Sequence, residues 1–232
     1  MLRSSALALA AALTLAVAPA QAVTISANAA APTVNGADIA NLGSSFSSFQ
    51  SSFEWPDRPA RGQTFTTGAN ALGYTFDALT VQSDFAALAS SSYRVRVGSV
   101  VGTAFTQIAN ETGSYNQNFG TNTFITFLLN TPLTLAANTT YGFDIGLFAS
   151  DGGFRDHGWG LLNTVQTAYA GGTAYSSGAN AVGGATITGH NQDRVFHLNL
   201  AEVRPVVVVP EPASAALGLL TLAGLSLRRR RN

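Results

Sequence analysis

A glycine-rich stretch of nine residues holds the densest group of side chains that could do chemistry. Within residues 151–159, Asp151, Asp156 and His157 stand close together, and Trp159 follows them. Aspartate oxygens can bind a hard cation such as calcium, and a tryptophan ring can stack on a sugar. The spacing differs from an EF-hand loop, which has acidic residues at alternate positions and a closing glutamate. We interpret the stretch as a solvated loop whose aspartates cap turns, with calcium as the alternative.

A second group of ionisable side chains lies further along the chain. His190 and Asp193 are separated by two residues, and His197 follows on a segment that alternates apolar and polar residues. Two histidines and an aspartate could bind a metal, or could act as acid and base. A strand that extends back to His190 would place it and His197 on opposite faces. A shared site therefore requires a bend between them, and we predict no metal site and no cofactor here.

The sequence favours a protein that is not an enzyme. It contains no Gly-x-Ser-x-Gly elbow, and the absence of cysteine excludes thiol catalysis and thiolate metal ligands. A glycosidase needs two carboxylates facing each other across a cleft, and no such pair stands out among the few acidic residues. The alternative, a secreted hydrolase, requires that several groups converge on one cleft: Asp156, His157, His190 and Asp193.

The two tryptophans are better evidence for binding than for catalysis. Trp55 is followed closely by Pro56 and Pro59, and Trp159 closes the glycine-rich stretch. A tryptophan in a loop can form a stacking platform for a sugar, although most tryptophans are core or cover residues. A carbohydrate-binding module that recognises extracellular polysaccharide through Trp55 and Trp159 is therefore the alternative to a purely structural role.

The charged residues limit the class of partner. The chain has no lysine, and the body at residues 23–203 carries six arginines against eleven acidic residues, a net charge of −5. Nucleic acids are bound mainly through lysine and arginine contacts to phosphate, so we predict no nucleic-acid partner. Because there is no cysteine, the stability of the body must come from packing, turns or bound ions.

Many short strands separated by glycine and asparagine turns predict one all-β domain over residues 23–203. Arg94 and Arg96 alternate with tyrosine and valine, so we expect a strand with one buried face and both arginines on the other. The segment 133–147 is typical of a hairpin whose second strand buries its apolar residues and points Asp144 away. No window keeps a helical period over three turns, and we predict a jelly-roll-like β-sandwich.

The body is similar to the secreted β-sandwich domains that precede exchangeable surface anchors. The resemblance rests on the strand-and-turn segments 62–68, 74–81 and 132–141. It implies a fold and brings no catalytic residues with it. The last predicted strand, residues 194–203, places Phe196, Leu198 and Leu200 on one face and His197 on the other.

The N-terminal end is typical of a secretion signal. Arg3 precedes an apolar run at residues 6–17, and Ala20 and Ala22 provide the small-x-small pattern that signal peptidase cleaves. We predict a signal peptide over residues 1–22. The alternative, an uncleaved anchor, is disfavoured because the run is shorter than the ~20 residues that span a bilayer.

The C-terminal end combines three sequence features. A linker over residues 204–212 ends in a motif that its prolines keep extended, namely Val209, Pro210, Glu211 and Pro212. The uncharged stretch 213–227 would form a transmembrane helix of about 22 Å, short of a ~30 Å hydrocarbon core. The tail at residues 228–232 opens with a basic stop consisting of Arg228, Arg229, Arg230 and Arg231. We expect a helix held briefly in the membrane, with its arginines in the cytoplasm.

This order of motif, short apolar helix and arginine cluster resembles the PEP-CTERM sorting signal of Gram-negative bacteria. The resemblance covers residues 209–232 and implies processing at or near Pro-Glu-Pro by an exosortase-like membrane protease. It implies export through the inner membrane to the cell surface or an exopolysaccharide matrix. We therefore expect a non-catalytic structural or interaction protein, with carbohydrate binding and hydrolysis as the alternatives.

Overall fold

The computed structural model describes residues 24–43, 51–52, 59–83, 91–115, 119–148, 160–161, 163–164, 169–178 and 184–205. The chain divides into two compact units, Met1–Glu202 and Val203–Asn232, and every described strand lies in the first. The predicted signal peptide and sorting tail lie outside the described residues, as do five of the predicted site residues: Trp55, Asp151, Asp156, His157 and Trp159.

The described part of the chain is built from β-strands. It contains no helix of the length and apolarity needed to cross a membrane. The strands, in chain order, are β1 (Thr24–Asn28), β2 (Ile39–Asn41), β3 (Ser51–Ser52), β4 (Arg61–Thr66), β5 (Tyr74–Gln82), β6 (Ser91–Val101), β7 (Ala104–Tyr115), β8 (Phe124–Leu135), β9 (Thr140–Phe148), β10 (Gly160–Leu161), β11 (Asn163–Thr164), β12 (Ala174–Ser177), β13 (Ala185–Gly189), β14 (Asp193–Arg194) and β15 (Phe196–Glu202).

Most of the strands belong to two large antiparallel sheets. The five-stranded sheet has the order β1-β8-β5-β15-β2. The other has the order β12-β13-β7-β6-β9-β4, and because β12 also pairs with β4, this closed sheet has no free edge. Two short ladders pair β3 with β10 and β11 with β14. The prediction of an all-β body is confirmed.

A hydrophobic core lies between the two sheets. Phe65 of β4 faces Phe76 of β5 at a centroid distance of 6.4 Å, and Tyr93 of β6 meets Phe127 of β8 at 5.1 Å. Phe196 of β15 packs on the closed sheet in the same way. All of these rings are buried, namely those of Phe65, Phe76, Tyr93, Phe127 and Phe196. Side chains from both inner faces therefore fill one layer, as in a β-sandwich. The predicted inward face of β15 is confirmed, since Leu198 and Leu200 are also part of this core.

The second face of β6 is not the solvent-facing surface that the alternation predicted. Arg94 and Arg96 are only 7% and 0% exposed, and Asp144, which was expected to point into solvent, is 0% exposed. The prediction was wrong because the closed sheet curls β12 and β7 over this face. Alternation along one strand separates its two faces but contains no information about what covers the second one.

An ion pair lies inside the closed sheet. Arg96 of β6 and Asp144 of β9 are register partners, joined by hydrogen bonds of 2.9 Å and 2.6 Å. Ser177 of β12 binds both, accepting from Arg96 at 2.8 Å and donating to Asp144 at 3.0 Å. The ring of Phe105 on β7 lies 5.0 Å from the guanidinium. Three strands therefore share one buried polar network, and β7 packs a ring against it.

Two glycines make room for the aromatic rings beside this pair. A Cβ atom at Gly62 would lie 2.6 Å from the ring of Tyr175 and 2.1 Å from the carbonyl oxygen of Phe143. A Cβ atom at Gly98 would lie 2.6 Å from the ring of Phe105. Backbone and rings approach too closely for any other residue at these two positions.

The variant Arg96→Met should lower the free energy of unfolding by roughly 3–5 kcal/mol, because it leaves the Asp144 carboxylate buried without its partner. Urea denaturation measures the loss. The double variant Arg96→Met/Asp144→Leu removes both charges and should be less destabilised than the single variant. Equal losses of unfolding free energy in the two variants would show that the unpaired Asp144 carboxylate adds no cost of its own.

Candidate functional site

A cleft of about 390 Å³ opens beside β12 and β14. Two segments of the described chain line it, residues 169–173 and residues 190–193. Its lining combines an aromatic ring, amides, a histidine and a carboxylate with short backbone stretches: Tyr169, Ala170, Gly172, Thr173, His190, Asn191, Gln192 and Asp193.

Backbone hydrogen bonds hold the turn after β13 against the start of β12. The amide of His190 donates to the carbonyl of Ala174 at 2.8 Å, and the amide of Ala174 donates to the carbonyl of Gln192 at 3.0 Å. The Thr173 hydroxyl donates to the carbonyl of His190 at 2.8 Å. Because both sides of the turn are fixed, the backbone of residues 190–192 keeps a defined position beside the cleft.

Asp193 forms the buried end of the cleft. Its carboxylate accepts from the Gln63 side-chain amide and from the backbone amide of Tyr169, each at 2.9 Å, and the residue is 2% exposed. Gln63 is fixed in turn, since its oxygen accepts from the Arg194 backbone amide at 2.9 Å. These two hydrogen bonds hold the Asp193 carboxylate in a fixed position as a hydrogen-bond acceptor.

His190 lies half-buried at the rim. Its Nε2 is 3.0 Å from the hydroxyl of Ser176 on β12. Burial lowers the pKa of His190, and the positive charges of Arg194 and Arg61 lower it further. The imidazole is therefore neutral near pH 7, since the usual value is 6.5.

Tyr169 supplies the aromatic surface of the cleft. Its ring meets Phe196 edge to face at 5.2 Å, so one side of the ring belongs to the core. Burial raises the pKa of Tyr169, which keeps its phenol neutral. The cleft thus offers an amphipathic ring next to neutral hydrogen-bonding groups, a combination typical of small-ligand sites.

The structure brings together only two of the predicted site residues that it describes. His190 and Asp193 both line the cleft, whereas His197 lies elsewhere, paired with Asp38 at 3.0 Å. The prediction of opposite faces applied to a strand that reached both histidines, but β15 begins at Phe196 and His190 lies in the turn after β13. The inward orientation of Phe196 and Leu198 turns His197 to the outer face of the five-stranded sheet. Within the described ranges no three histidine, aspartate or glutamate side chains group as a metal site.

Sequence reasoning missed Tyr169 as a lining residue and Ser176 as the partner of His190. Tyr169 carried a weak signal, since it is an isolated aromatic residue in a glycine-rich region. Nothing in the sequence places it next to Asp193, because the contact depends on strand order. Comparison of the chain with protein-family models, with curated proteins and with solved structures finds no match. The functional assignment rests on the residues of this chain.

Asp38 fastens the segment before β2 to β15. It accepts hydrogen bonds from the amides of Asn35 and Leu200 at 2.7 Å and 2.9 Å, besides that of His197. Burial raises the pKa of Asp38, but these three hydrogen bonds lower it by more, so the folded value lies below the usual 3.8.

A depressed carboxylate pKa adds stability that is present above pH 3.8 and lost as the pH falls further. Asp38→Asn should therefore lower the unfolding free energy at pH 7 by about 2 kcal/mol and flatten its fall in acid. Urea denaturation between pH 7 and pH 2.5 measures both. Asp77→Asn is the matched control, because Asp77 Oδ1 accepts no hydrogen bond from the described residues. Equal acid curves for the Asp38 variant and the unsubstituted protein would contradict the role of Asp38.

Proposed function

We propose that this chain is an exported, non-catalytic protein of the cell surface or exopolysaccharide matrix, sorted by a PEP-CTERM signal. The proposal for sorting is supported by the order of residues at both ends. A short signal peptide with Ala20 and Ala22 at its end precedes the body, and Pro-Glu-Pro, an apolar stretch and four arginines follow it. Signal peptidase and an exosortase-like protease would then remove the two ends.

The body, on this proposal, binds extracellular polysaccharide. The observation that carries it is the cleft beside β12, in which an aromatic ring lies among amide, hydroxyl and imidazole groups. Sugars offer the same mixture, with apolar ring faces and many hydroxyls. Asp193 suits a hydroxyl donor, because each carboxylate oxygen can accept more than the one hydrogen bond it already has.

The strand orders support a jelly-roll topology as part of this proposal. Four strands lie side by side as β2-β15-β5-β8, and four others as β4-β9-β6-β7. The chain passes between these two sets at every step from β2 to β15, apart from the short β3, the β6–β7 hairpin and the excursion through β10 to β14. Eight strands in two such sheets are the arrangement of a jelly roll. β1 then extends one sheet, and the β12–β13 hairpin closes the other.

One contact favours hydrolysis as a second candidate function, namely the 3.0 Å hydrogen bond between Ser176 and His190. A serine nucleophile needs a histidine that accepts its proton. Arg61 and Arg194 oppose that step, because their charges disfavour a protonated imidazole at this position. Among the described residues no carboxylate binds the second ring nitrogen of His190, and Ser176 is not part of the cleft lining. These features support the non-catalytic proposal.

Intact mass spectrometry of the protein recovered from the surface or medium of its native host tests the sorting proposal. We expect a mass that begins at Val23 and ends near Pro212, with or without an added group. Deleting residues 209–232 should abolish the C-terminal processing and change the location of the protein. A mature protein that retains residues 213–232 would contradict sorting by an exosortase.

Isothermal titration of the exported protein with host polysaccharide fragments tests the binding proposal. The double variant Asn191→Ala/Gln192→Ala should weaken binding about tenfold, the cost of one or two hydrogen bonds. Thr134→Ala, an exposed change on β8, is the matched control and should leave the affinity unchanged. Ser176→Ala should bind normally. Binding that survives the double variant but is lost in Trp55→Ala or Trp159→Ala would move the site away from the cleft.

A further inference from the structure

The chain contains one asparagine that is followed directly by glycine, Asn35 before Gly36. The backbone nitrogen after an asparagine can attack the side-chain carbonyl carbon, and glycine has no Cβ atom to obstruct this attack. Each of the other asparagines is followed by a residue with a side chain or ends the chain. Asn35 is therefore the asparagine with the least steric protection against this reaction.

Asn35 and Gly36 lie in a turn that leaves the reacting groups accessible. The backbone amide of Asp38 donates to the carbonyl of Asn35 at 3.0 Å, which closes a four-residue β-turn with Gly36 at its second position. Both Asn35 and Gly36 are exposed. Within the described part of the chain, neither the side-chain amide of Asn35 nor the backbone amide of Gly36 forms a hydrogen bond. Solvent therefore reaches the atoms that would react.

The fold does not require glycine at position 36. A Cβ atom added to Gly36 would have nothing within 4 Å, and the described glycines with a left-handed φ are Gly73 and Gly102. Alanine therefore fits this position without backbone strain, while its methyl group obstructs the attack on the preceding side chain. The variant Gly36→Ala can test the reaction and keep the turn.

Asp38 attaches this turn to β15. Its Oδ2 accepts from the backbone amide of Asn35 at 2.7 Å and lies 3.0 Å from Nε2 of His197, while its Oδ1 accepts from the amide of Leu200 at 2.9 Å. Asn35 is bonded to Asp38 twice, through its own N–H and through its own carbonyl. A change in the backbone of Asn35 therefore alters the attachment of the segment before β2.

We propose that Asn35 is a site of spontaneous deamidation, with water as the co-reactant, and that its isoaspartyl product weakens the attachment of the turn at residues 35–38 to β15. The backbone nitrogen of Gly36 loses its proton to base and bonds to Cγ of Asn35. The bond between Cγ and Nδ2 breaks, and the nitrogen takes up a proton and leaves as ammonia. The product is a five-membered succinimide ring, and nothing is oxidised or reduced.

Water then opens the ring at either of its two carbonyl carbons. Attack at Cγ gives aspartate at position 35, whereas attack at the main-chain carbon gives isoaspartate, in which the chain runs through Cγ. Both products add a carboxylate close to that of Asp38, and like charges repel. Isoaspartate also inserts one carbon between the N–H and the carbonyl that bind Asp38, so the two hydrogen bonds of the turn no longer fit together.

Peptide mapping by mass spectrometry tests the inference on the folded exported protein, incubated at pH 6 and at pH 8.5. We expect aspartate and isoaspartate to accumulate together at position 35, and faster at pH 8.5, because the attacking nitrogen must lose its proton. Gly36→Ala should lose most of this product. Asn138 is the internal control and should stay intact, since it is exposed but is followed by the β-branched Thr139.

Urea denaturation of the separated forms tests the consequence for the fold. The isoaspartyl form should unfold at a lower urea concentration than the unmodified protein. Asn35→Asp adds the charge without the extra backbone carbon, so its midpoint should fall between the two. Equal midpoints for the isoaspartyl and unmodified forms would overturn the effect on the attachment to β15.

Three other results would overturn the modification site itself. Absence of product from the folded protein at pH 8.5 would do so, and reaction of a synthetic peptide of residues 31–41 would then show that the turn protects Asn35. Aspartate formed without isoaspartate would indicate direct hydrolysis and exclude the ring. Equal rates in Gly36→Ala and the unsubstituted protein would exclude attack by the Gly36 nitrogen, once thermal unfolding establishes that the variant is folded.

Discussion

The ion pair between Arg96 and Asp144 imposes the main constraint on this fold. Two charges taken out of water must have their hydrogen-bonding groups satisfied by the protein, since an unpaired buried charge costs several kcal/mol. Neighbouring strands bring the two side chains together, and Ser177 of β12 binds both of them. Closure of this sheet therefore allows β6 and β9 to keep charged residues on their second face.

The same hairpin that covers the ion pair also builds the cleft. β12 carries Ser177 at one end, and at its other end Ala174 exchanges backbone hydrogen bonds with the turn at residues 190–192. Gln63 of β4 fixes the buried end of the cleft by binding both Asp193 and the backbone of Arg194. The cleft is thus supported by rigid strands on several sides. A binding site on such elements needs little reordering when a ligand enters, which favours affinity.

The neighbours of His190 have opposite effects on the chemistry of its imidazole. Its hydrogen bond with Ser176 has the geometry of a nucleophile and its base, yet the nearby arginines oppose proton transfer to the imidazole. An isolated serine–histidine contact is therefore insufficient evidence for hydrolysis, and the charges around the histidine decide what it can do.

The sequence by itself determined the β class and the inward faces of strands such as β15, because alternation with a period of two is a local property of the chain. The tertiary structure alone decided that Arg94, Arg96 and Asp144 are buried, since a strand does not encode which distant hairpin covers its second face. It likewise decided that Tyr169, His190 and Asp193 share one cleft. Hydrogen bonds between the turn at residues 190–193 and the segment 169–174 bring them together, and the sequence does not show which turn folds back onto which segment.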